Sequence, residues 1–168
     1  AHVEQLLKDS AGGILKSRIA GIIIEPIQAE GGDNHASPDF FRKLRKMAAD
    51  YDVTFIVDEV QTGGGTTGKM WAHEYWGLTQ EEAPDIVTFA KKCQIAGYFS
   101  GPKLRPKEGY RIFNTWMGDP SKLLMLDVVL REYERHDLIG NARRVGKILF
   151  DGIQAHALKR PEIIGRVR

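Results

Sequence analysis

Three short apolar runs in the first half of the chain each lead into residues that could do chemistry. Glu30 follows the run at 20–26. Asp58 lies at the end of 53–59, with Gln61 and the glycines Gly63, Gly64, Gly65 and Gly68 behind it, and Lys91 and Lys92 follow 85–90. A lysine and an aspartate at one sheet edge are what a pyridoxal-phosphate (PLP) site requires. The amine bonds to the cofactor aldehyde, and the carboxylate keeps the ring nitrogen protonated so that the ring accepts electrons. The same residues would also make a surface ion pair, and spacing alone leaves both readings open. Adjacent residues at a strand end point to opposite sides, so only one of the two lysines is expected to face such a site.

Other motifs compete for attention. Residues 63–69 begin like a phosphate-binding P-loop, but Met70 stands where a hydroxyl would bind magnesium. The strand at 55–59 imitates a metal-binding Walker B segment, yet it leads directly into the loop instead of following it. A nucleotide-binding module using Gly63 to Lys69 therefore stays as an alternative from a different class. His73-Glu74-Tyr75-Trp76-Gly77 starts like a zinc-protease helix and fails where glycine replaces the second histidine. His2, His35, His136 and His156 are scattered, and no short Cys/His cluster suggests a metal site. Cys93 reads as a small buried residue, and the basic stretch from Arg42 to Lys46 as the wet face of a helix.

These groups need elements to carry them. Residues 20–26 form a β-branched run ended by Pro26, as expected of a strand buried on both faces. Ser37-Pro38 opens a helix, serine as N-cap and proline in the first turn, with Phe40, Phe41, Leu44, Met47, Ala48 and Tyr51 on one side. Residues 53–59 and 85–90 read as further buried strands. Strand, helix and strand in alternation predict an α/β fold with a mostly parallel sheet, where ligands bind beyond the carboxyl ends of the strands. Farther on, 101–109 reads as a loop or hairpin tip and 110–113 as a short strand. Asp119-Pro120 opens a helix striped by Leu123, Leu126, Leu130 and Tyr133, and 138–157 reads as another. The edge of the sheet domain is placed near Asp137.

Composition bounds the rest. With 168 residues, 42% hydrophobic and 27% charged, the chain can bury one ordinary core. A net charge of +2 argues against a dedicated nucleic-acid surface, and the single cysteine forms no internal disulfide. The apolar runs are far too short to span a bilayer. The first residue is Ala1 with no leader after it, and Arg168 falls within 163–168, which reads as the opening of a strand. The chain is thus expected to be a segment of something longer.

Longer motifs then fall into a known order. Ile24-Glu25-Pro26-Ile27-Gln28-Ala29-Glu30-Gly31-Gly32, Val57-Asp58-Glu59-Val60-Gln61-Thr62-Gly63 and Phe89-Ala90-Lys91-Lys92 resemble the class III (subgroup II) aminotransferases of PLP fold type I. Asp33-Asn34-His35-Ala36-Ser37, Gly63 to Trp71, and Tyr110 through Trp116 to Lys122 are similar to its eukaryotic branch acting on 4-aminobutyrate. The resemblance covers nearly the whole chain.

It implies a central part of a homodimeric, mitochondrial-matrix enzyme that exchanges an amino group between 4-aminobutyrate and 2-oxoglutarate, in two half-reactions through PLP and its aminated form. The products would be succinate semialdehyde and glutamate. By the same resemblance, Lys91 is the lysine that bonds PLP and moves the substrate proton, Asp58 the partner of the pyridine nitrogen, and Gln61 the neighbour of the phenolic oxygen. Thr115 would reach the cofactor phosphate of the neighbouring subunit, and Glu30 would pair with a later arginine as a switch between the two substrates. Residues 1–137 would belong to the PLP-binding large domain, and 138–168 to a connecting helix and the start of the small domain. Ala90 stands where a serine is expected, and Cys93-Gln94-Ile95-Ala96 replaces a Met- and Gly-rich stretch. An ω-aminotransferase for β-alanine or ornithine, and a truncated non-catalytic scaffold, are the remaining alternatives.

Overall fold

The structure, a computed structural model, describes residues 2–168. Helix α1 (His2–Ala11) precedes β1 (Gly21–Ile24), α2 (Pro38–Asp50), β2 (Thr54–Asp58) and β3 (Ile86–Phe89). Strand β4 (Gly97–Ser100) and the helices α3 (Pro120–Arg135) and α4 (Leu138–Lys159) complete the order. The three strands expected from the sequence run parallel, with Ile24 beside Val57 and Asp58 beside Thr88. The expected α/β class and mostly parallel sheet are present. β4 adds an antiparallel strand beside β3, giving the order β1-β2-β3-β4. Neither α1 nor β4 was foreseen.

Helix α2 forms as its sequence dictates. Ser37 Oγ accepts from the Phe40 N–H at 3.3 Å, Pro38 occupies the first turn, and Phe41, Leu44 and Ala48 are buried. They pack on Phe55 and Val57 of β2 and on Trp76, whose ring stacks on Phe41 at 4.1 Å. Each such side chain contributes about 1.5–3 kcal/mol by leaving water. This core fixes the strand whose end carries Asp58.

Several expectations need correction. β1 is buried on one face only: Ile22 and Ile24 pack on the core while Ile23 is 63% exposed, because the α2 core covers only the face that Ile22 and Ile24 share. Residues 110–113 form no strand, since Tyr110 takes a positive φ of 63° and the segment pairs with none of the described strands. Residues 163–168 are also irregular, interrupted by Arg166 at φ 52°. Arg45 is not on a wet face. Its guanidinium reaches the Glu82 carbonyl at 3.0 Å and the Asp85 carboxylate at 3.4 Å, and Asp85 in turn accepts from the Phe55 N–H. The stripe on α3 is largely open, with Leu123 and Leu130 exposed and Leu126 and Tyr133 half-buried. No described helix is long and apolar enough to cross a membrane.

Candidate active site

The carboxyl ends of β2 and β3 lie side by side, and the candidate residues gather there. Asp58, the last residue of β2, turns its carboxylate back over its own loop. Oδ1 accepts from the Val60 N–H at 3.0 Å and from the Thr88 hydroxyl of β3 at 3.1 Å. Among the described residues Oδ2 takes no hydrogen bond, so one oxygen positions the group and the other is free for a donor.

Beyond β3 the chain does not continue as a strand. Lys91–Cys93 is a single 3₁₀ turn closed by Cys93 N–H to Ala90 O at 3.0 Å and Gln94 N–H to Lys91 O at 2.9 Å. Lys91 takes a φ of 40°, a left-handed conformation costing a non-glycine residue about 1–3 kcal/mol. The turn overrides strand alternation, and both lysines converge on Gln61. Lys91 Nζ donates to Gln61 Oε1, and Lys92 Nζ donates to the Gln61 main-chain carbonyl. Burial, and secondarily the neighbouring Lys91 charge, hold the Lys92 ammonium below the usual lysine range. Burial pushes the Cys93 thiol up, keeping it protonated and inert, as its small-buried reading expects.

Behind this edge lies a pair that sequence reasoning missed. Glu59 is buried; Oε1 accepts from the N–H and the Nδ1 of His73, both at 2.8 Å, and Oε2 from the Thr62 hydroxyl. Burial alone would raise its pKa, but these bonds and one from the Ala72 N–H outweigh it and leave the carboxyl below its ordinary value. The pair ties the turn carrying Gln61 to the 3₁₀ turn Ala72–Trp76. Its one signal in the sequence was a second acid beside Asp58 on a buried strand.

Glu30 and Thr115 lie in other segments of the chain. Both are exposed, in irregular segments, and neither shares a hydrogen bond or ion pair with Asp58, Gln61 or Lys91 among the described residues. Nor do residues 63–69 form a P-loop. That loop leads into a 3₁₀ turn, and a Cβ at Gly63, Gly64 or Gly65 would meet Trp71, Lys92 or Ile139 within 3.1 Å. A primary amine, an amide and a carboxylate with one open oxygen suit an aldehyde and a protonated ring nitrogen, so the residues present fit the PLP ring.

Comparison with known proteins agrees with this chemistry. The class-III aminotransferase family model matches residues 2–168. The mitochondrial 4-aminobutyrate aminotransferase of Mus musculus is 55% identical over 153 residues, 91% of this chain and 30% of the relative. The 4-aminobutyrate aminotransferase of Emericella nidulans is 50% identical over 172 residues, covering 100% of this chain and 34% of the relative. The chain thus spans about a third of the length of these relatives. Among solved structures, the lysine aminotransferase of M. tuberculosis in its internal aldimine form superposes with a TM-score of 0.77 at 32% identity, over 92% of this chain and 37% of that one. Plasmodium falciparum ornithine delta-aminotransferase gives 0.79 at 25% identity, over 99% and 42%.

Proposed function

Because the chain belongs to the class-III aminotransferases, we propose that it is the part of a 4-aminobutyrate:2-oxoglutarate aminotransferase that carries the cofactor-bonding lysine. The observation that supports this most is the convergence of Lys91 and Gln61 beside the half-engaged Asp58 at the carboxyl ends of parallel strands. The curated relatives at 50–55% identity favour 4-aminobutyrate as donor over lysine or ornithine, the donors named for structural neighbours at 25–32%. Several of those relatives are named as mitochondrial, which supports a mitochondrial matrix location. Homodimerisation belongs to the same proposal.

PLP, when bound, supplies the electron sink that lets an amine-bearing carbon lose a proton. Lys91 Nζ would hold the cofactor covalently and would serve as the general base that moves the proton of the substrate carbon. Asp58 Oδ2 holds the ring-nitrogen proton, while the bonds from Val60 and Thr88 to Oδ1 keep the carboxylate aimed. Gln61 orients the lysine amine through its Oε1 and, by family likeness, would neighbour the cofactor's phenolic oxygen. Thr115 is assigned to the phosphate of the neighbouring subunit and Glu30 to the dicarboxylate switch, both from family likeness. Residues 1–137 are assigned to the large domain and 138–168 to the connection toward the small one, a division supported by the helix break at Asp137 (φ 44°).

The test measures glutamate formed from 2-oxoglutarate by the full-length protein, a product common to every amino donor. Turnover with 4-aminobutyrate at least tenfold above that with β-alanine or ornithine is expected, a margin of about 1.4 kcal/mol. A preference for either competitor would reassign the donor.

A further inference from the structure

We infer that Lys92 is a positioning residue for the site: its ammonium pins the Gln61 main chain and so presents the Gln61 amide to Lys91. The inference rests on the PLP reading above and deepens it.

The geometry is specific to this turn. Had β3 continued as a strand, Lys92 would point away from Lys91. In the 3₁₀ turn Lys91–Cys93 both side chains run the same way, and one residue receives both ammonium groups, Lys91 on its side chain and Lys92 on its carbonyl. Gln61 itself is exposed and stands at the crest of the turn leaving β2. Its side chain is fixed only if its main chain is. Lys92 is placed to do that. Its stem lies over Gly64, where a Cβ would come within 3.1 Å of the Lys92 Cβ, and the Tyr133 hydroxyl, on the same side, donates to the Gly64 carbonyl at 2.9 Å. The groups acting on this ammonium are Lys91, Cys93 and Glu59, with the Tyr133 phenol alongside. Burial and Lys91 disfavour the charge that Lys92 carries, so the residue is held here against its own solvation preference. A hydrogen bond from a charged donor is among the stronger ones, and Arg can supply it where Met or Gln cannot.

The experiment uses the full-length protein in its apo and PLP-loaded forms, with K92M, K92Q, K92R, Q61A and the K92M/Q61A pair. In the apo form, hydrogen exchange of the peptide covering residues 59–66 is read by mass spectrometry. K92M and K92Q should raise its opening by about tenfold or more, while K92R restores protection. In the loaded form, the visible absorbance maximum should shift in K92M and in Q61A in the same direction, and K92M should add nothing once Gln61 is gone. Unchanged exchange in both K92M and K92Q, or additive spectral shifts in the pair, would overturn the inference. A wild-type protein with no borohydride-sensitive visible band would overturn the PLP reading instead, leaving the exchange result to decide the role of Lys92 alone.

Discussion

Replacing Glu59 by glutamine should weaken the protein above the ordinary carboxyl range and leave it unchanged in acid. Glu59 is fully buried, and its two oxygens take hydrogen bonds from His73 and Thr62. Glutamine keeps the shape and an acceptor oxygen, and the Thr62 hydroxyl can reverse to accept from its amide. What it loses is the charge, which strengthens several bonds at once, so a cost of about 1–2 kcal/mol is expected near pH 7. Glu59→Ala leaves His73 and Thr62 without their acceptor and should cost about 3–5 kcal/mol. The pH dependence follows from the depressed folded-state pKa. The ionised carboxylate stabilises the fold fully above its unfolded value near 4.5, and that contribution is lost as pH falls through the lower folded value. Urea titrations of the full-length protein, followed by tryptophan fluorescence, would measure it, since Trp76 sits in the core with its ring 5.9 Å from that of His73. Wild type and Glu59→Gln should differ at pH 7 and converge in acid. A gap that stays constant down to about pH 3 would refute the assignment of a charged, hydrogen-bonded Glu59.

Three further outcomes are expected. In the PLP-loaded full-length protein, Lys91→Ala should abolish the borohydride-fixed pyridoxyl group and Lys92→Ala should retain it; peptide mapping that found the group on Lys92 would reverse the two roles. Asp58→Asn should keep PLP bound but slow single-turnover amino transfer roughly a hundredfold or more, and near-wild-type rates would remove Asp58 from the ring nitrogen. The 168-residue chain by itself, given PLP, 4-aminobutyrate and 2-oxoglutarate, should show no turnover in the glutamate assay. Glu30 and Thr115 are exposed and share no hydrogen bond with Lys91 among the described residues, and misplacing a reacting group by about 1 Å already costs around a hundredfold.

The parts of this fold that were legible in the sequence are those fixed by local pattern. Helix α2 announced itself through Ser37-Pro38 and its apolar spacing, and β2 and β3 through continuous apolar runs bounded by polar residues. Asp58, Gln61 and the pair Lys91-Lys92 were marked out by their places at strand ends, while the choice of Lys91 and the role of each residue came from the family resemblance. What stayed hidden depends on partners distant in the chain. Arg45 looked wet because its ion pair with Asp85 spans 40 residues, and Glu59 drew no reading of its own because His73 lies 14 residues on. Lys92 was sent to the wrong side for a different reason. A 3₁₀ turn with a positive φ at Lys91 replaced the expected strand end, and no residue type at 90–94 signals that change.

The glycine cluster shows why a motif needs its surroundings. Gly64, Gly65 and Gly68 adopt positive φ of 76°, 85° and 89°, a conformation that both a phosphate cradle and a tightly packed loop call for. Close approach decides between them. A Cβ at Gly63 would lie 2.7 Å from the Trp71 ring and 2.8 Å from the Glu59 carbonyl, one at Gly65 2.9 Å from Ile139, and one at Gly68 3.2 Å from Arg143. The amides that a phosphate would need are already used: Gly63 N–H donates to Glu59 O at 2.8 Å, Gly64 and Gly65 N–H to Met70 O at 2.9 and 3.3 Å, and Gly68 N–H to Gly65 O at 3.0 Å. The loop's carbonyls are used as well, Gly64 O by Tyr133 at 2.9 Å and Gly68 O by the Arg143 guanidinium at 2.6 and 3.1 Å. Helices α3 and α4 contain no fully buried residue, and these bonds join them to the glycine loop. The same loop carries Gln61 at its start and takes Lys92 on Gly64. Its glycines therefore serve the site indirectly, by letting a helix pair and a lysine pack close enough to hold the turn on which Gln61 stands.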